Sequence, residues 1–211
     1  MLSAKDSFKK GAIVTDTGSV KKEVSKIFDN LNLTNIFWLA SHPIAGTEES
    51  GPSAGFKDLF KDRWTIICDN KNSNKDKIEK LKKFWEFLGS RVKLMSIDDH
   101  DHILALTSHL PHMLSSALVS VAMKEQNLTE LLNLASGGFD GATRLSRTSP
   151  NMISDMYLTN MENVKNLITK LIDELQEILA IEDEGVMHKY LFETVEWRRA
   201  LATKFGERDL S

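Results

Sequence analysis

Short apolar runs alternate with amphipathic stretches along the first 96 residues. Runs of this length are typical of buried strands, which we predict over residues 12–16, 35–40, 63–68 and 92–95. Apolar residues at helical spacing predict helices over residues 19–31, with Ser19 as the cap, and 78–88; residues 56–62 are predicted as a short helical turn. The alternation of strand and helix indicates β-α-β units and a mostly parallel sheet.

The pattern changes after Ser96, and no strand is predicted beyond it. Asp98 and Asp99 are expected to cap a long helix, kinked at Pro111 because proline lacks a backbone donor and leaves the Thr107 carbonyl free. A short helix at 128–135, a loop at 137–141 and long helices at 150–181 and 187–205 follow. Their wide apolar faces predict a dimer through the helical half.

Composition narrows the class of protein. The net charge of the 211 residues is −3, so the composition gives no indication of a basic surface for binding nucleic acid. A single cysteine, Cys68, lies in an apolar run, which favours a core residue in a protein of the reducing cytoplasm. The sequence contains neither an apolar run long enough for a membrane helix nor the apolar segment of a signal peptide at its start.

The candidate chemistry begins where the apolar run 35–40 ends. The sequence from Ser41 to Gly55 has no periodic pattern, and Pro43 biases His42 towards an extended backbone. A loop at the end of a strand is a common place for ligands in α/β proteins, and a histidine there can exchange a proton near neutral pH. The alternative is a surface loop whose histidine binds a backbone carbonyl.

Four motifs in order resemble the TyrA family of prephenate, arogenate and cyclohexadienyl dehydrogenases. They are Asp-Thr-Gly-Ser-Val-Lys at 16–21, His-Pro-Ile-Ala-Gly-Thr-Glu-Glu-Ser-Gly at 42–51, Ser-His-Leu-Pro-His at 108–112, and Gly-Gly-Phe through Thr-Arg at 137–144. The resemblance covers residues 11 to about 160. It implies oxidative decarboxylation of prephenate or arogenate in tyrosine biosynthesis, with hydride transfer to NAD or NADP.

The resemblance also implies the fold class. We expect a partial Rossmann-type parallel sheet in residues 1–96, the C-terminal portion of a dinucleotide-binding domain, followed by an all-α domain in residues 97–211 for substrate binding and homodimerisation. The sequence contains no Gly-x-Gly-x-x-Gly, the motif that holds the pyrophosphate of a dinucleotide. We therefore expect the chain to begin inside the Rossmann-type domain and to bind NAD or NADP poorly by itself. A catalytically inactive dimeric remnant is the alternative.

The resemblance assigns roles to individual residues. His42 would accept the proton of the ring hydroxyl, and Ser19 would lie close to the same hydroxyl and, with Thr17, to the cofactor. Arg144 would pair with a substrate carboxylate, for which a guanidinium suits the planar anion better than an ammonium. The remaining substrate-binding positions are His112, Thr47, Glu48 and Gly137. The alternatives without a functional role are a helix cap for Ser19, a solvated carboxylate for Glu48 and a surface ion pair for Arg144.

One position departs from the family pattern, which commonly has an acidic residue two places after the phenylalanine of the fourth motif. Gly141 stands there and the acid is Asp140, so a carboxylate role at that position is in doubt. A different class is suggested by His100, His102, His109 and His112, which fall within thirteen positions. They raise the alternative of a helical metal-dependent hydrolase, although no His-Glu-x-x-His accompanies them.

Overall fold

The computed structural model describes residues 7–46, 51, 54–69 and 74–205, apart from the side chains of Leu132 and residues 202–205. Among the described residues, the first part combines strands with two helices, and the second part is helical. The first part contains β1 (Ala12–Val14), α1 (Lys22–Asn30), β2 (Ile36–Trp38), β3 (Ser41–Pro43), β4 (Trp64–Cys68), α2 (Lys75–Phe87) and β5 (Arg91–Met95). The second contains α3 (Ile97–Leu104), α4 (Leu110–Ala122), α5 (Leu128–Leu134), α6 (Gly137–Thr143), α7 (Pro150–Thr159), α8 (Met161–Leu179) and α9 (Glu184–Phe205).

The described strands form two small sheets. In one, β1 pairs with β2 in parallel, as a β-α-β unit requires. In the other the order is β3-β4-β5, with β4 and β5 parallel and β3 antiparallel to β4. The prediction that residues 41–43 begin a loop was therefore wrong, because Ser41–Pro43 pair with Thr65–Ile67 and place His42 opposite Ile66.

The core of the first part lies on both faces of β4, because successive strand residues point to opposite sides. Ile67 packs with Leu39 and with Ile78, Leu81 and Trp85 of α2. Ile66 and Cys68 pack instead with Ala40 and with Leu104 of α3. The end of β2 and the strand that carries His42 are thus fixed against the first helix of the helical region. The predicted fold class, a Rossmann-type sheet followed by helices, is confirmed.

Two predicted helix starts were wrong. Helix α1 begins at Lys22 rather than at Ser19, and the side chain of its N-cap residue, Lys21, makes no capping hydrogen bond. Helix α3 is capped by the Ser96 hydroxyl, which accepts the Asp99 N–H at 3.0 Å, so that Asp98 and Asp99 fall in the first turn. Residues 56–62 form hydrogen-bonded turns without a helix.

Three irregularities of the helical part also differ from the predictions. A π-helical turn, Ala105–His109, lies between α3 and α4 and directly precedes Pro111, where a kink was predicted. Residues 137–141, predicted as a loop, belong to α6. The helix predicted over 150–181 is broken into α7 and α8 at Asn160, whose φ of −120° and ψ of 27° are not helical.

By packing, the chain divides into two compact units, Met1–Lys165 and Asn166–Ser211. The first unit contains all the described strands and α1–α7. In the second, the Tyr190 hydroxyl of α9 donates to Glu174 Oε1 of α8 at 2.8 Å. No helix in the described ranges is both long and apolar enough to cross a membrane.

Candidate active site

The His42 ring lies in a hydrogen-bonded chain with two residues of α3. Its Nδ1 is 3.0 Å from Nε2 of His100, and Nδ1 of His100 is 2.7 Å from Oδ1 of Asp101. His100 and Asp101 are completely buried, whereas His42 is half-buried. His42 is held by the pairing of β3 with β4, and the other two residues belong to α3. The hydrogen-bonded side chains therefore join the sheet to the first helix of the helical region.

Asp101 is fixed by the start of α1. Its two carboxylate oxygens accept the backbone N–H groups of Lys21 and Lys22, both at 2.9 Å. Burial alone would raise the pKa of Asp101, but the hydrogen bond with His100 and these two N–H groups outweigh it, and the pKa lies below its ordinary value. Asp101 is therefore an ionised carboxylate that accepts hydrogen bonds only.

The ionised carboxylate determines the tautomers of both rings when they are neutral. His100 must carry its proton on Nδ1 in order to donate to Asp101, which leaves a lone pair on His100 Nε2. His42 must then donate from Nδ1 to that lone pair. The lone pair of His42 Nε2 is consequently free to accept a proton from another molecule.

Burial keeps His42 neutral. Burial is the largest of the causes that together lower the pKa of His42 to about 3; the positive charges that His100, Lys21 and His109 can carry act in the same direction, and Asp101 opposes them. Such a ring is fully available as a proton acceptor at neutral pH, but it is a weak base. Proton transfer to His42 therefore needs the substrate to supply driving force, as an alcohol does when it loses hydride.

His109, at the end of the π-helical turn, extends the same cluster. The side-chain amide Nδ2 of Asn160 donates to the Asp101 carbonyl at 2.7 Å and lies 3.2 Å from His109 Nδ1. An amide nitrogen can only donate, so His109 Nδ1 accepts and its proton sits on Nε2. That Nε2 is buried and has no hydrogen-bond partner within the described part of the chain, and burial lowers the pKa of His109 to about 4.

The helical part holds two other predicted side chains: His112 in α4, and Arg144 in a short helix that contacts α4. His112 donates from Nδ1 to the Ser108 carbonyl at 2.8 Å, and its Nε2 is 3.4 Å from the Thr148 hydroxyl. Arg144 is exposed and begins a short 3₁₀ helix, Arg144–Arg147, which is held to α4 by the Ser146 N–H and the Ser115 hydroxyl at 3.0 Å. His112 is also close enough to His109 to lower its pKa.

The remaining predicted positions are more peripheral or cannot be placed. Thr17 is exposed and Ser19 half-buried in the segment between β1 and α1. Gly137 is the exposed first residue of α6, with open space where a Cβ would stand. Thr47 and Glu48 lie outside the described residues.

Three site residues were missed by sequence reasoning: His100, Asp101 and Asn160. His100 was noticed only as one of the four histidines that raised the hydrolase alternative. Across the residues that the structure describes, no group of three or more His, Cys, Asp or Glu side chains could hold a metal ion. Local sequence gives no signal that pairs His100 with His42, because 58 positions separate them.

A parallel β-α-β unit joined through a hydrogen-bonded His-His-Asp chain to a helical region defines the class as a two-part protein, an α/β unit followed by helices. Comparison with known proteins identifies the family. The family "Prephenate dehydrogenase, nucleotide-binding domain" matches residues 1–94, and "Prephenate dehydrogenase, dimerization domain" matches residues 96–195. The chain belongs to the prephenate dehydrogenase family.

Individual relatives agree with this assignment. The cyclohexadienyl dehydrogenase of Zymomonas mobilis is 35% identical over 202 residues, which cover 93% of this chain and 69% of that protein. The prephenate dehydrogenase of Bacillus subtilis is 28% identical over 193 residues, covering 90% of this chain but 52% of that protein. The chain thus spans from about half to about two thirds of the length of these relatives.

Solved structures show the same fold. A prephenate dehydrogenase from A. aeolicus, solved in complex with hydroxyphenyl propionate and NAD+, superposes with a TM-score of 0.81 at 32% identity, covering 90% of this chain and 67% of that one. An arogenate dehydrogenase from Synechocystis gives a TM-score of 0.80 at 26% identity, covering 90% and 69%. The predicted family, the predicted dehydrogenase class and NAD or NADP as its cofactor are confirmed.

Proposed function

We propose that the protein performs the oxidative decarboxylation of prephenate or a related cyclohexadienyl compound such as arogenate, with a nicotinamide cofactor accepting the hydride. The observation that carries this proposal is the chain from His42 through His100 to Asp101. Because His42 Nδ1 donates to His100, the lone pair of His42 lies on Nε2. An alcohol that loses hydride needs such an acceptor for its hydroxyl proton.

His42 is the residue that accepts this proton. When Nε2 is protonated, the ring becomes an imidazolium whose Nδ1–H still donates to His100. Asp101 stabilises that charge from behind, because its carboxylate is held ionised by His100 and by the start of α1. His100 and Asp101 are therefore positioning residues: they fix the tautomer of His42 without touching the substrate.

The substrate's carboxylates would be bound by the helical part. Arg144 supplies a guanidinium for one of them, and His112, whose Nε2 is directed towards Thr148, supplies a further polar contact. Gly137 leaves space beside the same region, and Thr47 and Glu48 would line the pocket. Ser19 would approach the ring hydroxyl and, with Thr17, the nicotinamide.

The residues present do not provide a complete dinucleotide site. The sequence has no Gly-x-Gly-x-x-Gly, and the N–H groups at the start of α1 that could face a phosphate are bound to Asp101 instead. We propose that the 211-residue chain alone binds NAD or NADP weakly; the second candidate is a dimeric protein without turnover.

The assembly is proposed as a homodimer through the helical domain, with the domain boundary near residue 96. The family's description of residues 96–195 as a dimerization domain supports both statements. Cys68, free and buried, fits the cytoplasmic location that the sequence predicts.

Turnover tests the function. The chain is incubated with prephenate or arogenate and with NAD+ or NADP+, and the reduced nicotinamide is followed by absorbance. The assay is repeated on a chimera that adds the part of the Zymomonas mobilis enzyme lying outside the aligned region. We expect activity in the chimera, and His42→Asn should lower its kcat by about 10²–10⁴-fold with little change in KM.

The matched control is His102→Asn, the same change on the exposed side of α3, which should leave kcat unaltered. Near-normal kcat in His42→Asn would remove His42 from the reaction. A chimera without turnover on any of the four substrate and cofactor combinations would support the inactive dimer.

A further inference from the structure

Lys21 is a completely buried lysine that the proposed reaction does not use. It lies immediately before α1, where the helix dipole disfavours a cation. Burial lowers the pKa of Lys21, and the neighbouring Asp16 carboxylate opposes that shift. A buried ammonium at such a place is costly unless it is paired, so its contacts indicate what it does.

The Lys21 ammonium has two partners. It forms an ion pair with Asp16 Oδ2, and it donates to the carbonyl oxygen of Ser41 at 2.8 Å. The Asp16 carboxylate binds the same residue from the other side, because Oδ1 accepts the Ser41 N–H at 3.2 Å. The Ser41 hydroxyl in turn donates to the Asp16 carbonyl at 2.9 Å. Both backbone groups of Ser41 are thus held by one ion pair.

The arrangement lies at the edge of β3 that pairs with no other strand among the described residues. On one edge of β3 the Cys68 N–H donates to the Ala40 carbonyl at 2.8 Å, and the Ile44 N–H donates to the Trp64 carbonyl at 2.7 Å. Backbone groups alternate between the two edges of a strand, so those of Ser41 point to the opposite edge. There Asp16 and Lys21 occupy the positions that a neighbouring strand would otherwise supply.

The contact with the Ser41 carbonyl acts directly on His42. That carbonyl and the His42 N–H belong to one rigid peptide plane, from which the Cα and ring of His42 continue. An ammonium that fixes the plane therefore fixes the direction in which the ring leaves β3. The 3.0 Å contact between His42 Nδ1 and His100 Nε2 depends on that direction.

We propose that Lys21 is a positioning residue for His42: paired with Asp16, it holds the Ser41–His42 peptide plane so that His42 meets His100 in a single tautomer. The consequence for turnover rests on the proposed function, but the geometry does not. Four charged or titratable groups face His42, and each must be considered in a test: His100 and Asp101 of α3, His109 of the π-helical turn, and Lys21 itself.

The first experiment reads the His42 ring by nuclear magnetic resonance of the ¹⁵N-histidine-labelled chain, without substrate or cofactor. In the wild type we expect one neutral tautomer with the proton on Nδ1. In Lys21→Met the His42 signals should change to a mixture of tautomers, and the pKa of His42 should rise because a facing positive charge is lost. Lys26→Met is the control, since Lys26 lies in α1 and pairs with Glu23 at the surface.

A second variant covers the case in which Lys21→Met does not fold with an unpaired Asp16. The double variant Asp16→Asn/Lys21→Met removes both charges of the pair and leaves the Ser41 carbonyl without its ammonium. The same loss of the single His42 tautomer is expected. Wild-type His42 signals in either folded variant would overturn the proposal, whatever the function of the protein.

Turnover gives an independent reading in the chimera described above. Lys21→Met should lower kcat on the order of 10²-fold, because misplacement of a catalytic group by about 1 Å has an effect of that size, and should leave the KM for prephenate unchanged. Loss of kcat with an unaltered His42 tautomer would assign Lys21 a different role and contradict the positioning inference. Changed His42 signals in a chimera that never turns over would support the positioning and reject the proposed function.

Discussion

At the scale of single residues, the site is organised by one ionised carboxylate. Asp101 joins the start of α1 to His100, and through His100 it determines which nitrogen of His42 is open. The neutral state of the buried histidines has a thermodynamic consequence of its own. The pKa of His42 is lowered from 6.5 to about 3 and that of His109 from 6.5 to about 4, so the folded protein resists their protonation.

The first prediction is a loss of stability in acid. Below about pH 6.5 the unfolded chain binds protons at these two histidines that the folded chain does not bind. The free energy of unfolding should therefore fall as pH decreases from about 6.5 towards 4, by up to about 1.4 kcal/mol per pH unit for each ring. Urea unfolding at fixed protein concentration over this range measures it.

Substitution tells which ring is responsible. His109→Gln keeps an acceptor for Asn160 and should reduce the slope by the share of one histidine. The matched control His188→Gln removes an exposed ring of α9 and should preserve the wild-type slope. A slope that is the same in all three proteins would contradict the assignment to His109.

The second prediction concerns the Asp101 carboxylate. Asp101→Asn would place an amide against two backbone N–H groups and the His100 ring, so that at least one donor meets another donor. We expect the free energy of unfolding to fall by about 1.5–3 kcal/mol, the range for a hydrogen bond to a charged group. Asp98→Asn, at an exposed carboxylate of the same helix, should change it by less than about 0.5 kcal/mol. Equal unfolding midpoints in urea for the two variants would refute the role of Asp101 at α1.

At the scale of elements, the periodic patterns predicted most strands and helices, because burial of an apolar face leaves its period in the sequence. The boundaries that failed are those set by polar contacts between distant residues. Helix α1 starts where Asp101 caps it from α3, and the break at Asn160 places an amide between Asp101 and His109. Neither contact leaves a local sequence signal, which is also why the partners of His42 were missed.

The family motifs supplied the other half of the site. They identified His42, His112 and Arg144 as site residues but did not indicate which elements hold these side chains in place. A resemblance transfers residue roles by position, whereas the hydrogen-bonded chain behind His42 depends on the packing of α1, α3 and β3. Only coordinates reveal it.

The third prediction belongs to the turn between α2 and β5. Gly89 has φ of +91°, and a Cβ there would lie 3.2 Å from the Lys61 backbone. Gly89→Ala should lower the free energy of unfolding by about 1–2 kcal/mol, since an L-residue is strained at positive φ. Gly141→Ala is the matched control, because it lies inside α6 with open space around its Cβ and should be neutral or slightly stabilising. A smaller loss at position 89 than at position 141 in urea unfolding would refute this account.

At the scale of the whole molecule, the helical region exposes many large apolar side chains. Large exposed hydrophobic side chains occur along α8 and α9, including Leu179 at 83%, Phe192 at 56% and Trp197 at 74%. Exposed apolar side chains in such number are typical of interaction surfaces. Together with the dimerization domain that matches residues 96–195, they point to a second copy of the chain.

The fourth prediction is that sedimentation equilibrium shows a dimer, and that Phe192→Glu weakens it by at least about tenfold in dissociation constant, since a charge would enter an apolar contact. Phe87→Glu is the control, because Phe87 is even more exposed, at 88%, but ends α2 in the sheet-containing part. Equal dissociation constants for the two variants would exclude this face of α9 from the interface.

The lone thiol at the end of β4 can report how often this strand opens. Cys68 is 2% exposed, and burial raises its pKa to about 12, so almost no thiolate exists at neutral pH while the strand is in place. A thiol reagent can modify the chain only after β4 has separated from its neighbours, and each chain is modified once. The rate of labelling therefore measures how often β4, the strand paired with the His42 strand, opens spontaneously.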